Sequence, residues 1–323
     1  MQLPLELQEA IEALTQAFST KDLKKARQQV SEDYRKGEAS AKAFRNSSQL
    51  FSYLATRMPA TYAANVRVFQ ALRERLPQFR CGSFLDLGAG PGTASWAALE
   101  VFEGLSELHL IEREAMAIEI GKKLSVNSPV LQKAQWHQAS LEEKWPVEGA
   151  DLAVLSYVFA ELNRERSSSL LDRLFEKNIP IVAIIEPGTP KGFERIRFFR
   201  DYVLQKGAQI IAPCPHQYAC PMPSNDWCHF SARVERTRLH RQLKEGSLGY
   251  EDEKFSYIIY AKSNFDLSSA RGRVVRSPQK GSGYVRIPLC ANEGVLKEIT
   301  VTKSDKENYR IARDLEWGSL LID

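Results

Sequence analysis

Hydrophobic residues recur at helical spacing along the first quarter of the chain, and their period changes after it. The segment 61–76 places five apolar residues on one face of a helix: Tyr62, Val66, Phe69, Leu72 and Leu76. Proline stands on both sides of this segment, where a helix is expected to start and to stop. The pattern predicts an N-terminal helical region over residues 1–78.

Short apolar runs alternate with helical patterns over residues 79–265. Four of these runs have the length and composition of buried strands, and they begin near residues 83, 107, 151 and 179. Because strands that alternate with helices form parallel sheets covered on both faces, the pattern predicts an α/β domain. Within it, residues 212–245 are predicted to form a cysteine-rich insertion, which ends in a basic helix over residues 229–244.

The last segment, residues 266–323, is predicted to be a small β-rich extension, because short runs such as GYVRIPLC and LKEITVTK are separated by turn residues. Apolar runs such as IVAII at 181–185 are far shorter than the roughly 18 residues that a membrane span requires. The N-terminus carries acidic residues where a secretory signal would carry basic ones, and no arginine-rich transit peptide is visible. We therefore expect a soluble protein without a membrane partner, in the bacterial cytoplasm or, after removal of a presequence, in the mitochondrial matrix.

Positive charge is concentrated in the C-terminal part of the chain. Residues 187–323 carry 22 Lys and Arg against 16 Asp and Glu, whereas residues 1–186 carry 22 against 24. Residues 233–244 are rich in arginine, and residues 271–286 contain five basic residues, no acid and Tyr284, whose ring is suited to stacking on a base. A polyanion partner is therefore expected on this part. The sequence does not reveal the oligomeric state, and a monomer is the simplest expectation.

The first predicted strand runs into a glycine-rich turn, FLDLGAGPGTAS. Glycine allows a tight turn and a close approach of ligand to backbone, and the helix that follows offers unpaired amides. The spacing is not the GxGxxG of dinucleotide-binding proteins. The pattern D-x-G-x-G-x-G resembles motif I of the class I S-adenosylmethionine-dependent methyltransferases, and its members here are Asp86, Gly88, Gly90 and Gly92.

The resemblance continues into the next two strands and implies a Rossmann-like sheet that binds S-adenosylmethionine. Glu112 ends the second strand, where such enzymes place a carboxylate that accepts hydrogen bonds from both ribose hydroxyls. Ser140 and Leu141 fall in the turn that is expected to contact adenine. The predicted strand that begins near residue 151 ends in SYVFAEL, without the proline-proline-aromatic motif of base-amino methyltransferases and without a cysteine, so no catalytic residue is assigned.

Three of the five cysteines lie in one proline-broken stretch, CPHQYACPMPSNDWCHF. Cys214, Cys220 and Cys228 are separated by five and seven residues, and Cys290 follows after a further 61. Structural zinc sites usually pair cysteines two to four residues apart, and the spacings of iron–sulfur sites differ from family to family. Spacing alone therefore leaves a zinc ion, an iron–sulfur cluster and no metal as open alternatives.

Several segments together resemble the methyltransferase-like family associated with assembly of the mitochondrial small ribosomal subunit and its bacterial relatives. They are YLATRMPATYAANVRVFQAL, DLGAGPGTASWAA, IEPGTPKGFERI, APCPHQYACPMPSNDWCHFSARVERTRLHRQLK and ARDLEWGSLL. The similarity runs from about residue 50 to the end of the chain. In that family four cysteines hold a 4Fe-4S cluster, which implies Cys214, Cys220, Cys228 and Cys290 as ligands and a metal-bound β extension.

The same resemblance implies a function, an assembly factor that binds the small ribosomal subunit through its rRNA. An active S-adenosylmethionine-dependent rRNA methyltransferase is the second hypothesis, because the glycine turn and Glu112 are intact. A small-molecule methyltransferase with a zinc site is the third hypothesis, although it leaves the basic C-terminal part unexplained.

Overall fold

The computed structural model describes residues 1–36 and 47–322, so residues 37–46 of the predicted N-terminal region lie outside the described ranges. The chain divides into two compact units. The first contains residues 1–69, 80–185 and 232–253, and the second contains residues 70–79, 186–231 and 254–323. The domain boundaries placed after residues 78 and 265 from the sequence stay predictions.

Ten α-helices lie in the described residues: α1 (Leu5–Thr15), α2 (Thr20–Lys36), α3 (Ser47–Thr56), α4 (Met58–Arg75), α5 (Thr93–Val101), α6 (Ala115–Leu124), α7 (Arg164–Glu176), α8 (Pro190–Gln205), α9 (Arg238–Lys244) and α10 (Lys306–Asp314). The strands are β1 (Ser83–Leu87), β2 (Glu107–Glu112), β3 (Gln135–Gln138), β4 (Leu152–Ser156), β5 (Ile181–Pro187), β6 (Gln209–Ala212), β7 (Phe230–Glu235), β8 (Tyr250–Ala261), β9 (Gly272–Val274), β10 (Gln279–Lys280), β11 (Tyr284–Ala291), β12 (Leu296–Thr302) and β13 (Leu320–Leu321).

The sheet of the first unit is parallel and has the strand order β3-β2-β1-β4-β5. Its central strands are buried on both faces, which is why their sequences are continuous apolar runs rather than alternating ones. Helices connect β1 to β2, β2 to β3 and β4 to β5, as the alternating sequence pattern predicts, whereas β3 and β4 are joined without a helix. The predicted α/β fold with a Rossmann-like parallel sheet is therefore confirmed. The five apolar residues predicted on one face over 61–76 are all buried.

The basic segment 229–244 was predicted to be helical, and half of this prediction is wrong. Phe230–Glu235 is strand β7, in which alternate side chains, beginning with Phe230, are buried. Buried side chains that recur with period two fit a strand with one covered face rather than a helix. Only Arg238–Lys244 is helical, and it begins after Thr237, whose hydroxyl accepts a hydrogen bond from the His240 amide at 3.2 Å.

The second unit contains an antiparallel sheet in which β11 is central. Its strand order is β10-β11-β9-β13, and β12 pairs along the whole length of β11. Helix α10 covers one face of the sheet. The sequence did not predict this helix, because it is short and buries only Tyr309 and Ala312, although Asp305 caps it by accepting from the Asn308 amide at 3.2 Å.

A buried carboxylate joins β1 to α5. Asp86 Oδ2 accepts hydrogen bonds from the amide of Ser95 at 3.1 Å and from its hydroxyl at 2.8 Å. Burial raises the pKa of the Asp86 carboxyl to about 7, although the Ser95 hydrogen bonds oppose the rise and the charge of Glu112 adds to it. Because an unfolded aspartate has a pKa of about 3.9, the folded chain binds this proton more tightly than the unfolded chain.

We expect the stability contributed by Asp86 to be present below about pH 4 and to decline as the pH rises to about 7. The Asp86→Asn variant has no titrating group at this position and lacks that decline. The free energy of unfolding of Asp86→Asn relative to wild type should therefore increase between pH 4.5 and pH 7.5. Urea denaturation followed by circular dichroism measures it. This pH range covers about half or more of the expected decline. A difference that is flat or falls with pH would contradict the raised pKa.

Candidate functional site

The glycine-rich turn after β1 lies against the end of β2. The amides of Gly88 and Ala89 donate to the carbonyl oxygen of Ile111 at 2.9 and 3.0 Å. Gly88, Gly90 and Gly92 all have positive φ angles, of 74°, 54° and 86°, and this conformation explains why glycine occupies alternate positions. The turn therefore has its shape because of its three glycines.

Glu112 is fixed at this turn through backbone amides. Its Oε2 accepts from the Gly90 amide at 2.8 Å, and its Oε1 accepts from the Glu114 amide at 2.9 Å. The Ala139 amide donates to the Glu112 carbonyl at 3.1 Å, which brings the turn after β3 to the same place. The structure thus gathers the predicted cofactor-binding residues in one region: Asp86, Gly88, Gly90, Gly92, Glu112, Ser140 and Leu141.

One side of the glycine turn is crowded and another is open. A β-carbon added to Gly88 would lie 2.8 Å from Val158 Cγ2 and 3.5 Å from Leu141 Cδ1, whereas one added to Gly90 would meet nothing within 4 Å. The open space at Gly90 allows a ligand to approach the backbone closely. Asp86 differs from the other predicted residues, because its carboxylate is engaged with Ser95 inside the unit.

The residues directly after β4 are buried or hydrogen-bonded within the protein. Tyr157 has a φ of 61°, which is costly for a side chain that large, and its hydroxyl donates to Glu253 Oε1 at 3.2 Å. Arg57 binds the two oxygens of Glu253 with a nitrogen each, both at 3.1 Å. Val158 packs against the glycine turn and Phe159 is fully buried.

The four cysteines of the second unit line one cavity of about 40 Å³, whose other walls are mainly apolar: Phe193, Ile196, Pro221, Met222, Phe230, Tyr257, Val275 and Leu296. They are Cys214, Cys220, Cys228 and Cys290, and all are free thiols. Burial raises the pKa of Cys290 to about 12, and burial together with the other three cysteines raises the pKa of Cys228 well above its usual value. The fifth cysteine, Cys81, belongs to the first unit.

Arg273 links the loop that carries three of these cysteines to the strand that carries the fourth. It lies opposite Cys290 in the β9–β11 pair, and its Nε donates to the carbonyl of Pro213, next to Cys214, at 3.2 Å. Its Nη1 also donates to the Gly318 carbonyl at 2.9 Å and pairs with Glu74 at 3.1 Å. Cys290 is thereby held next to the cysteine loop, although 61 residues separate it from Cys228 in the sequence.

A buried arginine that sequence reasoning missed lies beside the thiols. Arg200 is 2% exposed, and its Nη2 donates to the carbonyl oxygens of His216 and Tyr218 in the cysteine loop. Among the described residues, its Nε and Nη1 have no hydrogen-bond partner, although Nη1 lies 3.5 Å from an oxygen of Asp201. Burial lowers the pKa of this guanidinium, yet the net shift is upward, because Cys214 and Cys220 are close.

No three His, Cys, Asp or Glu side chains in the described ranges are arranged to hold a single metal ion. The metal-bound character of the extension therefore stays a prediction. His216 is also buried here, and its Nε2 lies 3.4 Å from the sulfur of Cys290.

Five of the ten basic residues in the two segments predicted to meet a polyanion are paired with acids of the protein. Arg233 binds both oxygens of Asp252 at 2.8 and 2.9 Å, and Glu251 pairs with Arg236 at 3.0 Å and with Lys244 at 2.7 Å. In the second basic segment, two arginines pair with acids and three basic residues are exposed: Arg271, Lys280 and Arg286. The surface expected to bind a polyanion is therefore smaller than the sequence predicts.

Among the helices of residues 1–36 and 47–322, none has both the length and the apolar character needed to cross a membrane.

The chain has relatives in animals and fungi. It is 26% identical over 286 residues to the human "Ribosome assembly protein METTL17, mitochondrial", an alignment that covers 83% of this chain and 61% of the human protein. It is 25% identical over 330 residues to "Rsm22-cox11 tandem protein 2, mitochondrial" of Schizosaccharomyces pombe, covering 84% and 43% of the two chains. The chain thus spans about half the length of the curated relatives it matches.

Among solved structures, magnesium protoporphyrin IX methyltransferase from Synechocystis PCC 6803 aligns with 63% of this chain and 80% of its own, with a TM-score of 0.42 and 10% identity. A likeness at this level assigns no function. The sequence profile of the family described as "Mitochondrial small ribosomal subunit Rsm22" matches residues 47–322. Because this match covers most of the chain, the resemblance seen in the sequence is confirmed, and the protein belongs to the Rsm22 family of the mitochondrial small ribosomal subunit.

Proposed function

We propose that this protein is an assembly factor of the small ribosomal subunit that binds rRNA, carries a structural 4Fe-4S cluster and binds S-adenosylmethionine. The observation that carries the proposal is the meeting of Cys214, Cys220, Cys228 and Cys290 at one cavity beside the buried cation Arg200. The name of the human relative, a mitochondrial ribosome assembly protein, supports the same function. By the same analogy the protein acts in the mitochondrial matrix, or in the cytoplasm of a bacterium.

The charge of Arg200 supports an anionic occupant of the cysteine cavity. A buried cation is costly when anions compensate it only in part, and neutral thiols add little to the Asp201 oxygen 3.5 Å from Nη1. Four thiolates bound to zinc or to an iron–sulfur core carry a net negative charge. The Nε and Nη1 of Arg200, which lack a hydrogen-bond partner among the described residues, can donate toward them. The residues present therefore fit either metal group.

The arrangement of the cysteines favours a cluster over zinc. In a zinc site the sulfurs all lie about 2.3 Å from one ion and must converge on a point. In a 4Fe-4S cluster each cysteine binds a different iron, so the sulfurs surround a volume. The thiols here line a cavity, with one cysteine contributed by a strand and three by the loop. When bound, the cluster supplies iron–thiolate bonds that join the cysteine loop to β11.

The glycine turn supports binding of S-adenosylmethionine. Each carboxylate oxygen of Glu112 has two lone pairs, and the amides of Gly90 and Glu114 use one on each oxygen. One acceptor position on each oxygen therefore remains for the two ribose hydroxyls. Leu141 and Val158 offer apolar contact for an adenine ring near Gly88. Asp86 would hold the turn from inside rather than contact the ligand.

Methyl transfer is the second candidate function, and the intact pairing of Glu112 with the glycine turn favours it. The segment after β4 favours assembly instead, because Tyr157 is engaged with Glu253, Val158 supports the turn and Phe159 is buried. We therefore assign S-adenosylmethionine a binding role and assign no catalytic residue.

We expect Gly90→Ala to weaken binding of S-adenosylhomocysteine at least about tenfold, because the added methyl group occupies the space that the ligand needs. Gly207→Ala is the matched control, since Gly207 also has a positive φ, of 82°, and an added β-carbon there meets nothing within 4 Å. Both variants should lose about 1–2 kcal/mol of stability from the left-handed backbone. Isothermal titration calorimetry that gives Gly90→Ala the affinity of wild type would contradict the site.

Anaerobically purified wild type should be brown and contain about four irons and four labile sulfides per chain. Cys290→Ser should lose the visible absorbance, whereas Cys81→Ser should keep it, because Cys81 is a buried cysteine outside the set. Metal and sulfide analysis of the three proteins measures this. Full absorbance in Cys290→Ser would refute the four-ligand assignment, and one zinc without sulfide in wild type would favour the zinc alternative.

Depletion of the protein in its own cells should reduce mature small subunits and leave the methylation of small-subunit rRNA unchanged. Sucrose-gradient profiles and mass spectrometry of the rRNA give the two measurements, and purified protein should bind small-subunit particles at moderate salt. A methyl group that disappears on depletion would establish the second candidate function. Absence of binding to the particles and to their rRNA would remove the first.

A further inference from the structure

The antiparallel sheet of the second unit has a covered face and an open face. The covered face and helix α10 share one apolar cluster: Val285, Ile287, Leu289, Tyr309, Ala312 and Leu315. Tyr284 and Arg286 alternate with the buried residues of β11 and are exposed. Because successive side chains of a strand point to opposite faces, these two lie on the open face.

The open face carries an aromatic ring held in place. Tyr284 is 38% exposed, and the Arg286 guanidinium lies over its ring, 5.2 Å from the centroid. Gly281 in the hairpin turn lets the ring come close, since a β-carbon there would lie 2.5 Å from Tyr284 Cε1. The Gly281 amide donates to the Tyr284 carbonyl at 2.9 Å and closes the hairpin. Little side-chain freedom is therefore lost when a planar group stacks on this ring.

Three cations lie in the hairpin or beside its turn, and none of them forms an ion pair with the part of the chain that the structure describes. Lys280 and Arg286 are exposed on the hairpin, and the Lys303 amide donates to the Gly283 carbonyl at 3.0 Å, which places Lys303 beside the turn. Arg233 is the opposite case, because it also stacks on a tyrosine but binds Asp252 with two nitrogens. The positive charge at the hairpin is thus available to a ligand.

The strands beside β11 add uncharged hydrogen-bonding groups to the same face. Gln279 of β10 and Thr300 of β12 lie opposite Arg286, and Thr302 lies opposite Tyr284. Directly paired residues share a face, so these side chains stand next to the ring and the cations. The acid Glu298 lies opposite Pro288, further along the strand. An exposed aromatic ring, free cations and amide or hydroxyl groups on a sheet are the features that bind single-stranded RNA.

We propose that this open face binds single-stranded rRNA, with a base stacked on Tyr284 and a phosphate contacted by Arg286. The inference rests on the proposed rRNA-binding function and assigns it a surface. Single-stranded rather than duplex RNA fits, because a ring on a sheet can stack only on a base that is already unstacked from its neighbours.

Fluorescence anisotropy with a labelled uridine-rich RNA of about 12 nucleotides tests the proposal, since single-strand sites span roughly 4–16 nucleotides. Tyr284→Leu should bind about tenfold more weakly, and Tyr284→Phe should bind as wild type does, because stacking needs only the ring. Arg286→Gln should reduce the slope of log affinity against log salt by about 0.7, the value for one phosphate contact on a single strand. Arg233→Gln is the matched control and should change the affinity less than about twofold, because Asp252 already neutralises that arginine.

The outcomes separate the inference from the function on which it rests. If wild type binds the RNA and both hairpin variants bind it equally well, the surface is wrong and the proposed function stands. If the variants keep the RNA but lose small-subunit particles, the face contacts a ribosomal protein and the inference is overturned. If wild type binds neither RNA nor particles, both fail. Since Tyr284 and Arg286 are exposed, circular dichroism should show all variants folded.

Discussion

The second unit is built around a buried guanidinium that its own chain does not fully neutralise. Arg200 holds the cysteine loop through the carbonyls of His216 and Tyr218, so the loop depends on this side chain. The same guanidinium has two nitrogens without hydrogen-bond partners in the described ranges. A buried cation and buried thiolates are each costly alone, and they become compatible only together. We therefore expect the stability of the cysteine loop to depend on Arg200 and the four cysteines together.

The buried carboxylates of the first unit, unlike Arg200, have their hydrogen-bond partners within the protein. Asp86 receives two hydrogen bonds from Ser95, and each oxygen of Glu112 receives one backbone amide. These carboxylates are satisfied by the protein itself, so the glycine turn is formed before any ligand arrives. Arg200 is satisfied only in part. The physical difference is that the proposed ligand of the first site would meet groups already held by the protein, whereas the proposed occupant of the second site would complete interactions that the fold leaves open.

Local sequence patterns predicted the parts of the structure that depend on neighbouring residues. The apolar face of α4, the strand–helix alternation and the glycine turn are of this kind. Features that depend on distant residues were missed. In the helix PKGFERIRFFR three arginines look alike, and only the fold shows that Arg200 is the buried one. Likewise Arg233 and Arg236 are neutralised by acids 19 and 15 residues away, which no local pattern reveals.

Strand β11 connects the two features of the second unit. It begins at Tyr284 on the open face and reaches Cys290 at the cysteine cavity, six residues or about 20 Å along one strand. Cys290 pairs with Arg273 on one side and with Leu296 on the other, so a metal bond to its sulfur would fix the register of both neighbours. The pair Tyr284 and Thr302 at the far end is held by the same ladder. A metal group at Cys290 would thus order the surface proposed to meet RNA through strand pairing alone, without any redox chemistry.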